Sequence, residues 1–296
     1  MMSQSSVRYY PYRALGALAP RVPPGLGYRL ATQVGTLAYY LHPRGAAAVR
    51  SNSYHVLGGK ADDRRIKSIA LEVFRNLSKN YYDLFRKHSM TEEEAMATIT
   101  VRNLHHLKDS LREGKGAIVV TAHFGPFDAL WQIGRGLDLT ITAPAEHLKP
   151  ESLFQYVCTL RDKERMRLLP VDRPLMGLFR ALRAGETVAL AADRDITGSG
   201  IPIDFFGAPT RLPDGHVQLA LRTGANLLTC FALRQPDNSA LLRFEPILPL
   251  ERTGDLARDV LLNVPKVVAR MEGWIRRNPD QWLVLYPIWE DGRDAA

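Results

Sequence analysis

No aspartate or glutamate precedes Asp62. The opening segment therefore carries cations alone: Arg8, Arg13, Arg21, Arg29, Arg44, Arg50 and Lys60 supply nearly all of the formal net charge of +8 and leave the rest almost balanced. Cysteine is scarce as well. Cys158 and Cys230 lie far apart, without a CxxC pair or His neighbours at ligand spacing, which excludes a disulfide framework and a structural zinc and points to a reducing compartment. No apolar run approaches the roughly 20 residues that span a bilayer. The stretch from Ala14 to Ala19 is closed by Pro20, too short for the core of a cleaved leader, so the segment reads as retained. No serine or cysteine stands in a G-x-S-x-G or comparable setting, and the sequence offers no protein nucleophile.

With 296 residues and 46% hydrophobic side chains, the chain can bury one large core. We expect a basic amphipathic helical region over residues 1–60 and an α/β domain over 61–296. In the first, cations interleave with Tyr9, Tyr10, Tyr12, Tyr28, Tyr39, Tyr40, Leu15, Leu18, Leu30 and Leu37. That is the composition of helices lying in a membrane interface, with cations on anionic headgroups and apolar groups in the acyl boundary. A basic face that only keeps core-packing helices soluble is the competing reading. Nucleic acid is not expected as a partner, because neither a binding motif nor a further basic block follows. The expected location is peripheral, on the cytoplasmic face of the cell membrane, and the expected state a monomer.

Up to about residue 113 the pattern is helical, with breaks at Pro20, Pro23-Pro24, Pro43 and Gly58-Gly59. The segment DDRRIKSIALEVFRNLSKNYYDLFRKH repeats apolar residues at helical spacing and predicts one long amphipathic helix. Beyond it, GAIVVTAH, LTITAPAE, RLLPV and TVALAA read as buried strands, separated by the helical segments PFDALWQIGRGL, PESLFQYVCTLRDKER and RPLMGLFRALRAG. Such alternation predicts an α/β fold, a three-layer α/β/α sandwich with a largely parallel central sheet, preceded by the helical N-terminal region. NLLTCFAL and SALLRFEPIL are expected to pair antiparallel around QPDN, and a helix from about Asp255 to Arg277 followed by a strand-like QWLVLY closes the domain.

Active sites in parallel sheets sit outside the carboxyl ends of the strands, and VVTAHFGPFDAL puts His123 at such an end. Taking Pro126 as the first residue of the next helix makes Gly125 its N-cap and sets Asp128 in the first turn. There Asp128 either complements the helix dipole or folds back to orient the His123 imidazole as a general base. The helix N-terminus would offer N–H groups to an oxyanion or phosphate. Without a protein nucleophile, a base at His123 would act on a hydroxyl brought by the substrate. Asp193 and Asp195 follow TVALAA and project toward the same edge, able to support His123, hold a loop or, with it, bind a divalent cation; Arg194 between them disfavours a dense cation site.

The spacing H-x-x-x-x-D, here His123 to Asp128, resembles the first motif of glycerolipid acyltransferases. LAADRDITGSGIPIDFFGAPTRLPDG and RRNPDQWLVLYPIWE are similar to later blocks of the bacterial branch that contains lipid A late acyltransferases and phosphatidylinositol mannoside acyltransferases, with the mannoside-acylating branch nearer in appearance. The similarity runs over roughly residues 20–290. Two features depart from the lipid A enzymes: no apolar run in this sequence is long enough for the membrane-spanning N-terminal segment they usually carry, and Asp193-Arg194-Asp195 stands where D-Q-D is usual.

This resemblance implies transfer of a fatty acyl chain from acyl-CoA or another thioester to a hydroxyl of a membrane glycolipid or lysophospholipid, with a phosphatidylinositol mannoside-type acceptor expected first. It implies His123 as base with Asp128 orienting it, and no metal or prosthetic group. Glu146 and Arg161 fall in the block that helps form the headgroup site, and Asp193, Arg194, Asp195 and Arg211 join them as substrate-binding candidates. A lipid A acceptor, a metal-dependent phosphoesterase built on His123, Asp193 and Asp195, and a non-catalytic lipid-binding protein are the alternatives.

Overall fold

The computed structural model describes residues 4–161, 165–172 and 176–289. Four helices open the chain: α1 (Gln4–Leu18), α2 (Pro24–Leu41), α3 (Pro43–Val56) and α4 (Asp63–Lys87). The last is the long helix expected from its periodicity. Asp62 caps it by accepting from the Arg65 amide at 2.7 Å, and Ile66, Ala70, Val73, Phe74, Leu84 and Phe85 are buried along it.

The order then runs α5 (Glu92–Ala97), β1 (Ile99–Arg102), α6 (His105–Arg112), β2 (Ala117–Thr121), α7 (Ala129–Gly136), β3 (Ile141–Ala145), α8 (Glu151–Arg161), β4 (Met166–Pro170), α9 (Met176–Arg183) and β5 (Thr187–Ala191). It continues through β6 (Ile201–Phe205), β7 (Ala208–Leu212), α10 (Gly215–Thr223), β8 (Asn226–Arg234), β9 (Ala240–Phe244) and α11 (Leu256–Arg277). The seven-stranded sheet has the order β1-β9-β8-β2-β5-β3-β4. Every neighbouring pair is parallel except β8 and β9, the antiparallel pair that QPDN predicts.

Because side chains alternate across a strand, β2 feeds two cores. Ile118 and Val120 join residues of α9, α10 and α11 on one face, while Ala117 and Val119 join Leu107 of α6 and Leu130 and Ile133 of α7 on the other. This is the three-layer sandwich. β6 and β7 form a separate hairpin, turned by Phe206 and Gly207, both at positive φ (53° and 78°), the geometry of a two-residue type I′ turn.

Three local expectations are corrected. β1 lies inside the stretch read as purely helical. QWLVLY is not a strand: apart from an isolated bridge between Trp282 and Phe124, its backbone groups are met by the His123 loop and by Asn52 Nδ2, which donates to the Val284 and Tyr286 carbonyls. The helix after β2 starts at Ala129 and not at Pro126, because Gly125 takes a left-handed conformation (φ 55°) and residues 125–128 turn through short-range bonds such as Ala129 N–H to the Pro126 carbonyl at 2.8 Å. The far end of the segment expected to be helical after β3 includes residues 162–164, and the start of the one before β5 includes 173–175; both lie outside the described residues.

α2 packs against α4 through its smallest residues. Gly27, Ala31 and Gly35 are buried, and a Cβ on Gly35 would stand 2.6 Å from the Phe74 carbonyl oxygen and Arg75 Cα. Leu26, Leu30, Val34, Leu37, Tyr40 and Leu41 of the same helix are each more than half exposed. Among the described residues, no helix is long and apolar enough to cross a membrane.

Candidate active site

His123 lies just beyond the carboxyl end of β2, and Asp193 just beyond that of β5, its parallel neighbour. The two strand ends bring them together. His123 Nδ1 is 2.9 Å from Asp193 Oδ1, and the His123 backbone N–H donates to Asp193 Oδ2 at 2.9 Å. Trp282 Nε1–H donates to the same Oδ2 at 2.8 Å. Asp193 is completely buried. Burial alone would raise its carboxyl pKa, but the His123 charge and the hydrogen bonds from His123 and Trp282 hold it below the ordinary carboxylate value. An ionised Asp193 accepts from Nδ1–H, which leaves the Nε2 lone pair as the basic position. The imidazole is 28% exposed, so that lone pair is reachable, and its ring edge rests on Phe127 at a centroid distance of 5.6 Å.

The expected bond between His123 and Asp128 is not the one formed. Asp128 Oδ1 lies 2.9 Å from Arg161 Nε and Oδ2 accepts from Arg161 Nη2 at 3.2 Å, while Trp131 Nε1–H donates to Oδ1 at 3.0 Å. The left-handed step at Gly125 sends Asp128 toward α8, leaving the imidazole to Asp193. Both oxygens of Asp193, expected to bind substrate, are engaged inside the protein by His123 and Trp282. The amides of Phe124, Gly125 and Phe127 are also taken, by the carbonyls of Ala122, Gln281 and Gly125, so they do not form the N–H cluster expected for an oxyanion.

The other candidates spread along the same sheet edge. Glu146, after β3, pairs with Arg194, after β5, and Arg194 lies over the Tyr286 ring at 4.7 Å. Asp195 holds its own loop, accepting from the Gly200 N–H at 2.7 Å. Arg211 stands on the exposed side of β7 opposite Pro202, without a hydrogen-bond or ion-pair partner among the described residues, and is not brought into the His123 network. His216 is structural: burial lowers its pKa to about 4 and keeps it neutral. Among the described residues, no group of three or more His, Cys, Asp and Glu is arranged to hold a metal ion.

Behind the His123 loop lies a polar frame that motif reading missed. The Gly125 N–H donates to the Gln281 carbonyl at 2.7 Å, and the Gly125 carbonyl accepts from Asn80 Nδ2 at 2.7 Å. Asn80 Oδ1 and Asp83 Oδ2 both receive Arg234 Nη2, at 2.6 and 2.7 Å. The Gln281 side chain locks onto the Arg234 backbone through both its amide atoms. A Cβ at position 125 would sit 1.9 Å from the Ala232 carbonyl oxygen, so only glycine fits. The signal was present on α4: Asn76, Asn80, Asp83 and Lys87, all buried, recur at helical spacing as a polar stripe inside an otherwise amphipathic pattern.

The model of the bacterial lipid A biosynthesis acyltransferase family matches residues 5–291. A phosphatidylinositol mannoside acyltransferase of Mycobacterium tuberculosis (strain CDC 1551 / Oshkosh) is 30% identical over 286 residues, covering 93% of this chain and 87% of its own length. Another, from Mycolicibacterium smegmatis, is 29% identical over 218 residues, 72% of this chain and 69% of its own. Among solved structures, the 1-acyl-sn-glycerophosphate acyltransferase PlsC from Thermotoga maritima aligns with a TM-score of 0.38 and 14% identity, over 83% of this chain and 97% of that one. Matched by one family model over nearly its whole length, the chain belongs to the bacterial lipid A biosynthesis acyltransferase family.

Proposed function

We propose that this O-acyltransferase takes a fatty acyl chain from acyl-CoA and delivers it to a hydroxyl of a phosphatidylinositol mannoside-type glycolipid, with His123 as general base and Asp193 as the carboxylate that orients it. The observation that carries this reading is the imidazole at the strand end, fixed at Nδ1 by a buried carboxylate and open at Nε2. Nε2 takes the proton of the acceptor hydroxyl as its oxygen attacks the thioester carbonyl carbon. Asp193 stabilises the imidazolium that forms. When the tetrahedral intermediate collapses, the C–S bond breaks and the imidazolium proton passes to the departing thiolate. The products are an ester and a free thiol, and the cycle requires neither a metal nor a prosthetic group.

Arg161, held by Asp128, and Arg194, held by Glu146, serve the polar part of the acceptor, since a guanidinium presents several donors to phosphate or sugar oxygens. The relatives' names favour the mannoside acceptor over lipid A. The phosphoesterase and carrier readings yield to membership of an acyltransferase family.

The enzyme works from the membrane surface. The exposed row Leu26, Leu30, Val34, Leu37 and Leu41 on α2 enters the acyl boundary, and the acid-free opening segment meets anionic headgroups. Incubation of the purified protein with acyl-CoA and phosphatidylinositol mannosides, followed by mass spectrometry and a thiol assay, should give one acylated lipid per thiol released. Thiol release without lipid acylation, or acylation only from an acyl carrier protein, would overturn the reading.

A further inference from the structure

An open groove of about 560 Å³ lies between the end of α2, α3 and the first turns of α4. Its lining includes Tyr39, Tyr40, Arg50, Arg64, Lys67 and Ser68, and no carboxylate. Lys67 is paired with Asp63 at 2.5 Å beside the groove. Arg50 and Arg64 have no hydrogen-bond or ion-pair partner among the described residues. Two guanidinium groups thus face the same space with their donors unspent, and Ser68 adds a hydroxyl. The residues already assigned to the catalytic edge contribute nothing to this lining.

The position of the groove narrows its occupant. The exposed apolar row of α2 ends at Leu37, Tyr40 and Leu41, and Tyr40 belongs both to that row and to the groove. A surface that buries the row in the acyl boundary therefore brings the groove to headgroup depth, where phosphates lie. Tyr40, 70% exposed, is an amphipathic side chain of the kind that favours this interface. Planar guanidinium forks match phosphate oxygens.

We propose that this groove is a docking site for the phosphate of an anionic phospholipid headgroup, separate from the acyl-transfer site. The proposal rests on the membrane reading above. Its test uses the full chain with Arg50→Gln/Arg64→Gln, and Arg222→Gln/Arg258→Gln as a control that removes the same charge from exposed positions on α10 and α11. Binding is measured to phosphatidylcholine vesicles with and without phosphatidylglycerol, and to dispersed dihexanoyl phosphatidylglycerol and inorganic phosphate by NMR.

The groove variant should lose on the order of 30-fold in binding to anionic vesicles, two cations at about 1 kcal/mol each, and the control threefold or less. Acyl transfer to a detergent-dispersed acceptor should be unchanged in both. Dihexanoyl phosphatidylglycerol should perturb groove resonances in the wild type and in the control, and not in the groove variant. Equal losses in the two variants, or inorganic phosphate competing as well as the short-chain lipid, would overturn the headgroup assignment. If Leu30→Ser/Val34→Ser abolishes vesicle binding while the groove variant retains it, the groove proposal fails and the membrane reading stands. If neither pair affects binding, the membrane reading itself fails.

Discussion

In β2, Ile118 and Val120 face one helical layer, Ala117 and Val119 face the other, and all four are completely buried. In α2 the large apolar residues Leu26, Leu30, Val34, Leu37 and Leu41 face outward, while Gly27, Ala31 and Gly35 face the protein. Both segments are rich in apolar side chains, yet only β2 buries all of them in a core. Placement makes the difference: a ridge of small side chains lets α2 approach α4 closely, Tyr28 and Tyr39 pack against α4 beside it, and the aliphatic row is left for another partner. An exposed apolar row of this length, set in a segment without acids, has the character of an interaction surface.

Separating the two regions by mutation sharpens the comparison, and the largest effect belongs to the sheet edge. His123→Ala should lower acyl-transfer kcat by on the order of 10²–10⁴-fold while circular dichroism and vesicle binding stay as in the wild type. Vesicle binding that fell together with turnover would merge the two regions into one. Next is Gly125→Ala, whose Cβ would meet the Ala232 carbonyl at a positive φ. A loss on the order of 2–4 kcal/mol in urea unfolding is expected, and near-neutral stability would show that the loop is not held as described.

The direct contrast is truncation of apolar side chains. Ile118→Ala should cost about 2–5 kcal/mol of stability. Leu30→Ser/Val34→Ser should stay within about 1 kcal/mol, being two surface changes, yet weaken vesicle binding at least tenfold, with turnover on a dispersed acceptor retained. Stability losses of similar size in both would mean that α2 is ordinary core.

The last effect concerns pH. His216 is neutral in the fold, with its pKa lowered to about 4 by burial, whereas the unfolded chain takes up a proton near 6.5. Its contribution to stability is therefore present above pH 6.5 and is lost as pH falls toward 4. Between pH 7 and pH 5 the loss is about 2 kcal/mol, and His216→Leu should flatten that slope. An unchanged slope would show that another group sets it.

Much of the fold was legible because alternating short apolar runs and helical segments leave few topologies. β1 escaped because ITVR is short and follows six residues of capped helix. His123 was legible as a strand-end residue, and so was its edge-mate Asp193. The sequence leaves Asp193 and Asp195 both able to support His123, and the choice between them is decided by strand order and the loop after β5: β5 lies beside β2 although β3 and β4 intervene in the chain. The spacing of five residues favoured Asp128, which the structure pairs with Arg161 instead, since the turn at Gly125 redirects a side chain that proximity in sequence brings near. The support from Asn80, Gln281 and Arg234 was hidden for the same reason, being assembled from segments far apart in the chain.

The central claim is that Asp193, and not Asp128, orients the catalytic imidazole. The most direct test is the ¹⁵N spectrum of the His123 ring in the wild type, Asp193→Asn and Asp128→Asn, with acyl-transfer kcat measured alongside. The account predicts a proton fixed on Nδ1 in the wild type and in Asp128→Asn, loss of that tautomer in Asp193→Asn, and a fall in kcat on the order of 10²–10⁴-fold confined to Asp193→Asn. Loss of the Nδ1 proton and of kcat in Asp128→Asn, with Asp193→Asn unaffected, would contradict it.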